Sequence, residues 1–135
     1  MLCVFKMHPY IKEQVPIPSG MEDRLIEADI DINDLFYAAA LLITDYSSCF
    51  YEFTLLKKPV LFYVYDEDYY AASRGVQRSL EELAPGRLCH SFDELVRAIE
   101  EAQEAPMPDM HFVDRCAKGG KTASDIAIDR IFYGR

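Results

Sequence analysis

Leu41-Leu42-Ile43-Thr44-Asp45-Tyr46-Ser47-Ser48-Cys49-Phe50-Tyr51-Glu52-Phe53 is the stretch from which the rest of the chain can be read. Leu41, Leu42 and Ile43 form a short apolar run, the pattern of a strand covered on both faces. Thr44 to Ser48 are small or hydroxyl-bearing, suited to a turn and a helix N-cap. From Cys49 the pattern is helical until Lys57-Lys58-Pro59 stops it, with positive charge at the negative end of the helix dipole. A strand feeding a Ser-Ser helix start is a natural anion site, because free backbone N–H groups, two hydroxyls and the helix dipole converge there. The same two serines also read simply as a helix cap.

Outward from this stretch, strand and helix patterns alternate. Towards the N-terminus lie an abrupt first strand, Met1 to Lys6, a Pro/Gly-punctuated loop from Tyr10 to Arg24, and a weaker strand around Leu25–Ile30. Asp31 and Asn33 are candidate N-caps of a short helix whose apolar face holds Leu35, Ala38 and Ala39. Towards the C-terminus, Pro59–Val64 reads as a buried strand and Arg87–His90 as a short one. Ser79-Leu80-Glu81-Glu82 and Ser91-Phe92-Asp93-Glu94 have capping-box spacing. Phe92, Leu95, Val96 and Ile99 mark the buried face of the helix that follows the second. A last helical segment, about 109–135, is broken at Gly119-Gly120 and carries Ala127, Ile128 and Ile131 as an apolar stripe. The alternation predicts an α/β, three-layer domain with a mostly parallel sheet, occupying residues 1–135 as one unit.

Bulk properties exclude several functions. The 135 residues are 50% hydrophobic and 27% charged, an ordinary globular composition. A formal net charge of −9 argues against a nucleic-acid surface and against binding anionic lipid by charge alone. No apolar run is long enough to span a bilayer and no signal peptide precedes the first strand, which points to a cytoplasmic location. The four cysteines, Cys3, Cys49, Cys89 and Cys116, form no C-x-x-C pair and read as reduced thiols. Neither G-x-G-x-x-G nor a P-loop is present, and no metal or other cofactor is called for.

In an open α/β sheet the carboxyl ends of the strands share one rim. That rule groups His8, the Thr44-to-Ser48 turn and the Tyr65-to-Arg74 segment. The turn supplies donors for phosphate, and His8 adds a hydrogen bond to the same oxyanion. Glu52, one helical turn beyond Ser48, suits the two hydroxyls of a ribose. Rival readings stand beside each: a loop histidine for His8, an exposed helix charge for Glu52, a turn-amide acceptor for Asp45, and surface packing for Tyr69, Tyr70 and Arg74. The acidic run Asp66, Glu67, Asp68 reads as a solvated helix start, with a divalent-metal site as the rarer alternative.

Lys6-Met7-His8-Pro9, Asp31-Ile32-Asn33-Asp34-Leu35, Leu42 to Ser48, Lys57-Lys58-Pro59-Val60-Leu61-Phe62-Tyr63, Asp66 to Tyr70 and Arg74-Gly75 together resemble the CDP-glycerol glycerophosphotransferase family, the enzymes of teichoic acid polymerisation and priming. The motifs keep the family's order over about the first two-thirds of the chain. The resemblance implies the C-terminal half of a GT-B fold, Rossmann-like, with the active site between two halves. It implies that CDP-glycerol sits mainly on this half, glycerol phosphate is transferred to a polyol-phosphate hydroxyl, and CMP leaves. His8 then matches the catalytic histidine at the donor phosphates. Thr44, Ser47 and Ser48 match the donor-phosphate turn and Glu52 the ribose position. Asp31 and Arg74 lie near the donor. The family acts peripherally at the inner face of the cell membrane.

The N-terminal half, with the family's other histidine, has no counterpart here, nor do the strand and helix that open the C-terminal half. The chain is therefore expected to be a fragment that does not transfer alone and that needs the missing half or a second chain. Two alternatives stay open. One is a stand-alone nucleotide-binding or interaction module, possible as a homo-oligomer. The other is a GT-B transferase using a different nucleotide-activated donor.

Overall fold

A computed structural model describes residues 2–7, 16–75, 79–102 and 123–134. The chain divides into two compact units, Met1–Ala38 and Ala39–Arg135.

In the first unit, β1 (Cys3–Phe5) pairs in parallel with β2 (Leu25–Glu27), Cys3 opposite Leu25 and Phe5 opposite Glu27. Backbone bonds from Cys3 N to the Arg24 carbonyl and from Ala28 N to the Phe5 carbonyl close the two ends of the ladder. The pair is thinly covered: Val4 and Ile26 are exposed. Helix α1 (Ile32–Ala38) follows, and its buried residue is Phe36, not the expected Leu35, Ala38 and Ala39 face. Lys6 Nζ donates to the Ile30 carbonyl at 2.6 Å, tying the end of β1 to the segment before α1.

The second unit is a three-stranded parallel sheet in the order β3 (Leu42–Thr44), β4 (Val60–Tyr63), β5 (Arg87–Cys89). Leu42 lies opposite Val60, and Tyr63 opposite Cys89. β4 is central, and its residues alternate between two covered faces. Val60, Phe62 and Val64 are buried on one, where the Phe50 ring of α2 (Phe50–Thr54) meets Phe62 edge-on at 5.1 Å. Leu61 is buried on the other with Cys89 and with Leu95 and Ala98 of α5 (Phe92–Ala102). Helices on opposite faces make the three-layer, parallel α/β arrangement expected from the alternation. The described strands, however, fall into two sheets.

Several local details differ from the sequence reading. Ile43 is 40% exposed rather than buried, because among the described residues β3 pairs on one side only. α2 ends early: Lys57 adopts a left-handed φ of 56°, and Lys58 Nζ donates to the Ala39 carbonyl at 2.7 Å. On α5 the buried pair is Leu95 and Ala98, whereas Phe92 is 66% exposed. The N-terminal end of this helix face is thus solvated.

α3 (Glu67–Arg74) follows β4, and none of its residues is buried. α4 (Leu80–Leu83) has Ser79 at its N-cap without a side-chain cap bond, so the expected first capping box does not form. α6 (Ala123–Ile128) runs into a π-helical turn, Asp129–Tyr133. The stripe of Ala127, Ile128 and Ile131 is exposed there. Gly119-Gly120 lies outside the described residues.

Gly86 is required by close approach. A Cβ on it would lie 2.0 Å from the Val60 carbonyl oxygen. The Pro85-Gly86 turn therefore seats β5 against the start of β4.

Candidate functional site

Because β3, β4 and β5 run parallel and in register, their carboxyl ends form one rim of the second unit. Three loops leave it: Asp45–Cys49 towards α2, Val64–Asp66 towards α3, and His90–Ser91 towards α5. Such rims are where open α/β sheets place ligands.

The first loop is held by its own side chains. Asp45 Oδ1 accepts from Ser47 N at 3.2 Å, and Ser47 Oγ accepts from Cys49 N at 3.3 Å. Asp45 is thus a turn-amide acceptor. Thr44 Oγ1 and Cys49 Sγ lie 3.6 Å apart. The α2 N-cap is Cys49, without a side-chain cap bond, which replaces the expected serine cap. The Ser47 oxygen is committed to Cys49, but its O–H remains a donor. Ser48 is exposed, and its hydroxyl has no partner among the described residues. Glu52 is also exposed, in the first turn of α2, while Phe50, Phe53 and Thr54 of that helix are buried.

Tyr46 leaves the same loop in another direction. Its hydroxyl donates to Asp66 Oδ1 at 3.0 Å. Its ring stacks on Tyr70 at a centroid distance of 3.7 Å and an interplanar angle of 11°. Desolvation, then the bond to Asp66 and the negative charges of Asp66, Glu67 and Asp45, push the phenol far above its ordinary range. The next residue, Glu67, places Oε2 3.7 Å from Nδ1 of His90. The first turn of α3 therefore meets the loops after β3 and after β5.

The third loop caps α5. Glu94 N donates to Ser91 Oγ at 3.3 Å, and His90 N donates to Glu94 Oε2 at 2.8 Å. The second capping box forms, with its carboxylate shifted back one residue to His90.

Thr44, Ser47, Ser48 and Glu52 thus lie together on one strand–turn–helix. Arg74 ends α3, exposed, one helical turn past Tyr70. Asp31 belongs to the first unit. Its Oδ1 accepts from Asn33 N at 2.8 Å and Asn33 Nδ2 at 2.9 Å. These two bonds, the backbone one foremost, hold its carboxyl below the usual range. His8 lies outside the described residues. Among the described residues no group of three or more His, Cys, Asp or Glu could hold a metal ion; Asp66 and Glu67 face Tyr46 and His90 instead. The sequence pattern hides His90 as a rim group because Arg87–His90 reads as one strand. The signal that finds it is its place immediately after the last strand residue, Cys89.

The sequence profile of the CDP-glycerol:poly(glycerophosphate) glycerophosphotransferase family matches residues 1–118. The chain belongs to this family. Family members similar to it include the teichoic acid ribitol-phosphate polymerase TarK of Staphylococcus aureus (strain NCTC 8325 / PS 47). That relative is 34% identical over 116 residues, which are 81% of this chain and 23% of TarK. The teichoic acid glycerol-phosphate primase of Bacillus subtilis (strain 168) is 37% identical over 95 residues, 70% of this chain and 25% of the primase. The teichoic acid poly(glycerol phosphate) polymerase of the same strain is 44% identical over 72 residues, 53% of this chain and 10% of the polymerase. The chain spans about a quarter or less of the length of these glycerophosphotransferase relatives. None of the described helices is long and apolar enough to cross a membrane.

Proposed function

We propose that this chain forms the donor-nucleotide side of a glycerophosphotransferase site. The observation that carries the reading is the Thr44–Ser48 turn at the shared carboxyl rim of a parallel sheet, in a chain of this family. CDP-glycerol is the donor. The hydroxyls of Ser47 and Ser48 donate to its pyrophosphate, beside Thr44. Glu52 accepts from the ribose hydroxyls. Arg74 is a further donor contact, and Asp31 and His8 are candidates by the family resemblance alone, His8 for the departing phosphate. An acceptor hydroxyl attacks the phosphorus that carries glycerol. The bond from that phosphorus to the bridging oxygen breaks, and CMP leaves with the electron pair. The acceptor loses its proton to a base, and the product is a polyol-phosphate chain longer by one unit. The names of the relatives include both ribitol-phosphate and glycerol-phosphate enzymes, which supports a polyol-phosphate class of transferred group.

On this reading transfer is expected to need further polypeptide, an additional half or a second chain, as the relatives that carry these names are about four times longer or more. The complete assembly works at the inner membrane face, where a polymer acceptor is held.

Calorimetry with CDP-glycerol, CMP and UDP tests the donor site. Ser48→Ala is the cleanest variant, because the Ser48 hydroxyl holds nothing else among the described residues. Removing one hydrogen bond to a charged oxygen is expected to weaken CDP-glycerol binding about tenfold. Ser47→Ala also frees Cys49 N and is expected to cost more. No binding of any nucleotide, or equal binding by the double variant, defeats the reading. A preference for UDP points to another donor. Turnover by this chain alone, lost in His8→Ala, overturns the requirement for a second half.

A further inference from the structure

α3 is an exposed helix with a purpose to be explained. None of its residues is buried, and its half-buried members near the rim are Asp66 (its N-cap), Glu67 and Tyr70. Burial of apolar area therefore does little to hold it. What meets it is polar and aromatic: the Tyr46 hydroxyl on Asp66, the Tyr46 ring on Tyr70, and His90 facing Glu67.

Tyr46 is the link with consequences, because it sits between the two residues that shape the turn. Asp45 on one side accepts from Ser47 N, and Ser47 on the other accepts from Cys49 N. Both bonds are local, two residues in span, and each leaves the loop free to tilt as a whole. The Tyr46–Asp66 bond spans 20 residues. A phenol that donates to a carboxylate while its ring is stacked nearly parallel has its hydroxyl direction and its ring plane both set. The backbone of residue 46 then has little freedom, and the neighbouring Ser47 inherits the restriction.

We propose that Tyr46, clasped by Asp66 and Tyr70, is the positioning residue that fixes the Ser47–Ser48 turn for the donor phosphate. The inference rests on the donor-site reading above for its ligand. The clasp makes no contact with phosphate itself. It sets the orientation in which two serine hydroxyls are presented, so that binding does not have to order the turn.

Three variants of the full chain separate this role from simple packing. Tyr46→Phe keeps the ring stack and removes the hydroxyl. Asp66→Ala removes the acceptor. Asp66→Asn keeps an acceptor oxygen and serves as the conservative rescue. Amide hydrogen exchange at Ser47 and Cys49 reports the turn without any ligand; calorimetry with CMP reports the site; urea unfolding reports global stability. Tyr46→Phe and Asp66→Ala are expected to speed exchange at both amides about tenfold and to weaken CMP by a similar factor. Asp66→Asn is expected to stay within about threefold of wild type on both, with the unfolding midpoint of all three near that of wild type. Wild-type exchange in Tyr46→Phe overturns the proposal. So does loss of protection spread over β3, β4 and β5, which is the mark of a purely structural role. An Asn variant as damaging as the Ala variant also overturns it. If wild type binds no nucleotide, the donor reading fails, and the exchange data still decide whether Tyr46 holds the turn.

Discussion

Replacing Gly86 by alanine tests whether the rim is seated as described. The added Cβ would lie 2.0 Å from the Val60 carbonyl oxygen, 2.8 Å from the Val60 carbonyl carbon and 3.3 Å from Val60 Cβ. Contacts under 3.0 Å are essentially never made by real Cβ atoms, so the Gly86 turn and the first residue of β4 must part by about 1 Å or more. Both partners are backbone, and Val60 is buried at 2% exposure, so no side chain can swing aside. Overpacking of well-filled interiors costs about 1–3 kcal/mol, and a clash of backbone against Cβ belongs at the upper end, about 3 kcal/mol. Against a typical domain stability of about 5–15 kcal/mol that is a large fraction. For a unit of this size the thermal midpoint should fall by more than about 10 °C.

Gly20→Ala supplies the contrast. Gly20 has a φ of +85°, but no atom lies within 4 Å of the place its Cβ would take, so the cost is conformational alone, about 1 kcal/mol. Differential scanning calorimetry and urea denaturation of the two variants beside wild type decide the matter. Because β4 leads directly to Val64 and Asp66, Gly86→Ala should also weaken CMP binding, which Gly20→Ala should not. A Gly86→Ala midpoint within about 3 °C of wild type would refute the packing described for β4 and β5.

Lys57→Gly should stabilise the chain by about 0.5–1 kcal/mol in urea denaturation, since φ of 56° is strained for lysine and free for glycine; Lys57→Ala should not. Burial pushes the Cys89 thiol up, with Glu94 adding to it and Arg87 opposing it, so alkylation at pH 8 read by mass spectrometry should label exposed Cys3 more than about tenfold faster than Cys89. The bonds from Asn33 N and Nδ2, with a smaller pull from Lys6, hold the Asp31 carboxyl below its ordinary range. Its contribution is therefore full above the unfolded value and is lost as pH falls through the folded one. The stability difference between wild type and Asp31→Ala should be present at pH 7 and shrink below about pH 3.8.

The layers of the fold are legible in local sequence because burial is periodic. Val60, Phe62 and Val64 alternate with Leu61 and Tyr63, and both sets are covered, which is what a continuous apolar run encodes. The Thr44–Ser48 turn is legible for the same local reason: Asp45 and Ser47 bond amides two residues on. What escapes is set by residues far apart in the chain. Tyr46 and Asp66 are 20 residues apart, and no periodicity links them. Glu67 and His90 meet only because β4 and β5 pair in register. Edge exposure is similarly non-local. Ile43 looks like a core residue until its strand is found to have a neighbour on one side among the described residues. The serine cap failed on a smaller scale, because α2 starts one residue later than the hydroxyls suggest.

Charge narrows how such a rim can hold a nucleotide. The chain carries a net charge of −9, and the loops and first helical turns at its rim include Asp45, Glu52, Asp66 and Glu67 beside His90. The donor diphosphate proposed above would add negative charge to that neighbourhood. A site of this composition cannot work by surplus cations, as a lysine-rich groove does. At physiological ionic strength charges more than about 8 Å away are largely screened, so the groups in direct reach decide the outcome. Two of the nearby carboxylates are already engaged: Asp66 accepts from Tyr46 and Glu67 faces His90. Asp45 is turned to Ser47 N. With these acids bonded inside the rim, the Ser47 and Ser48 hydroxyls are uncharged donors for the proposed donor phosphate, with no charge for salt to screen. The proposed clasp and the turn are in that sense linked: the contacts that order the loop also give the nearest carboxylates donors inside the rim, although those carboxylates keep their charge.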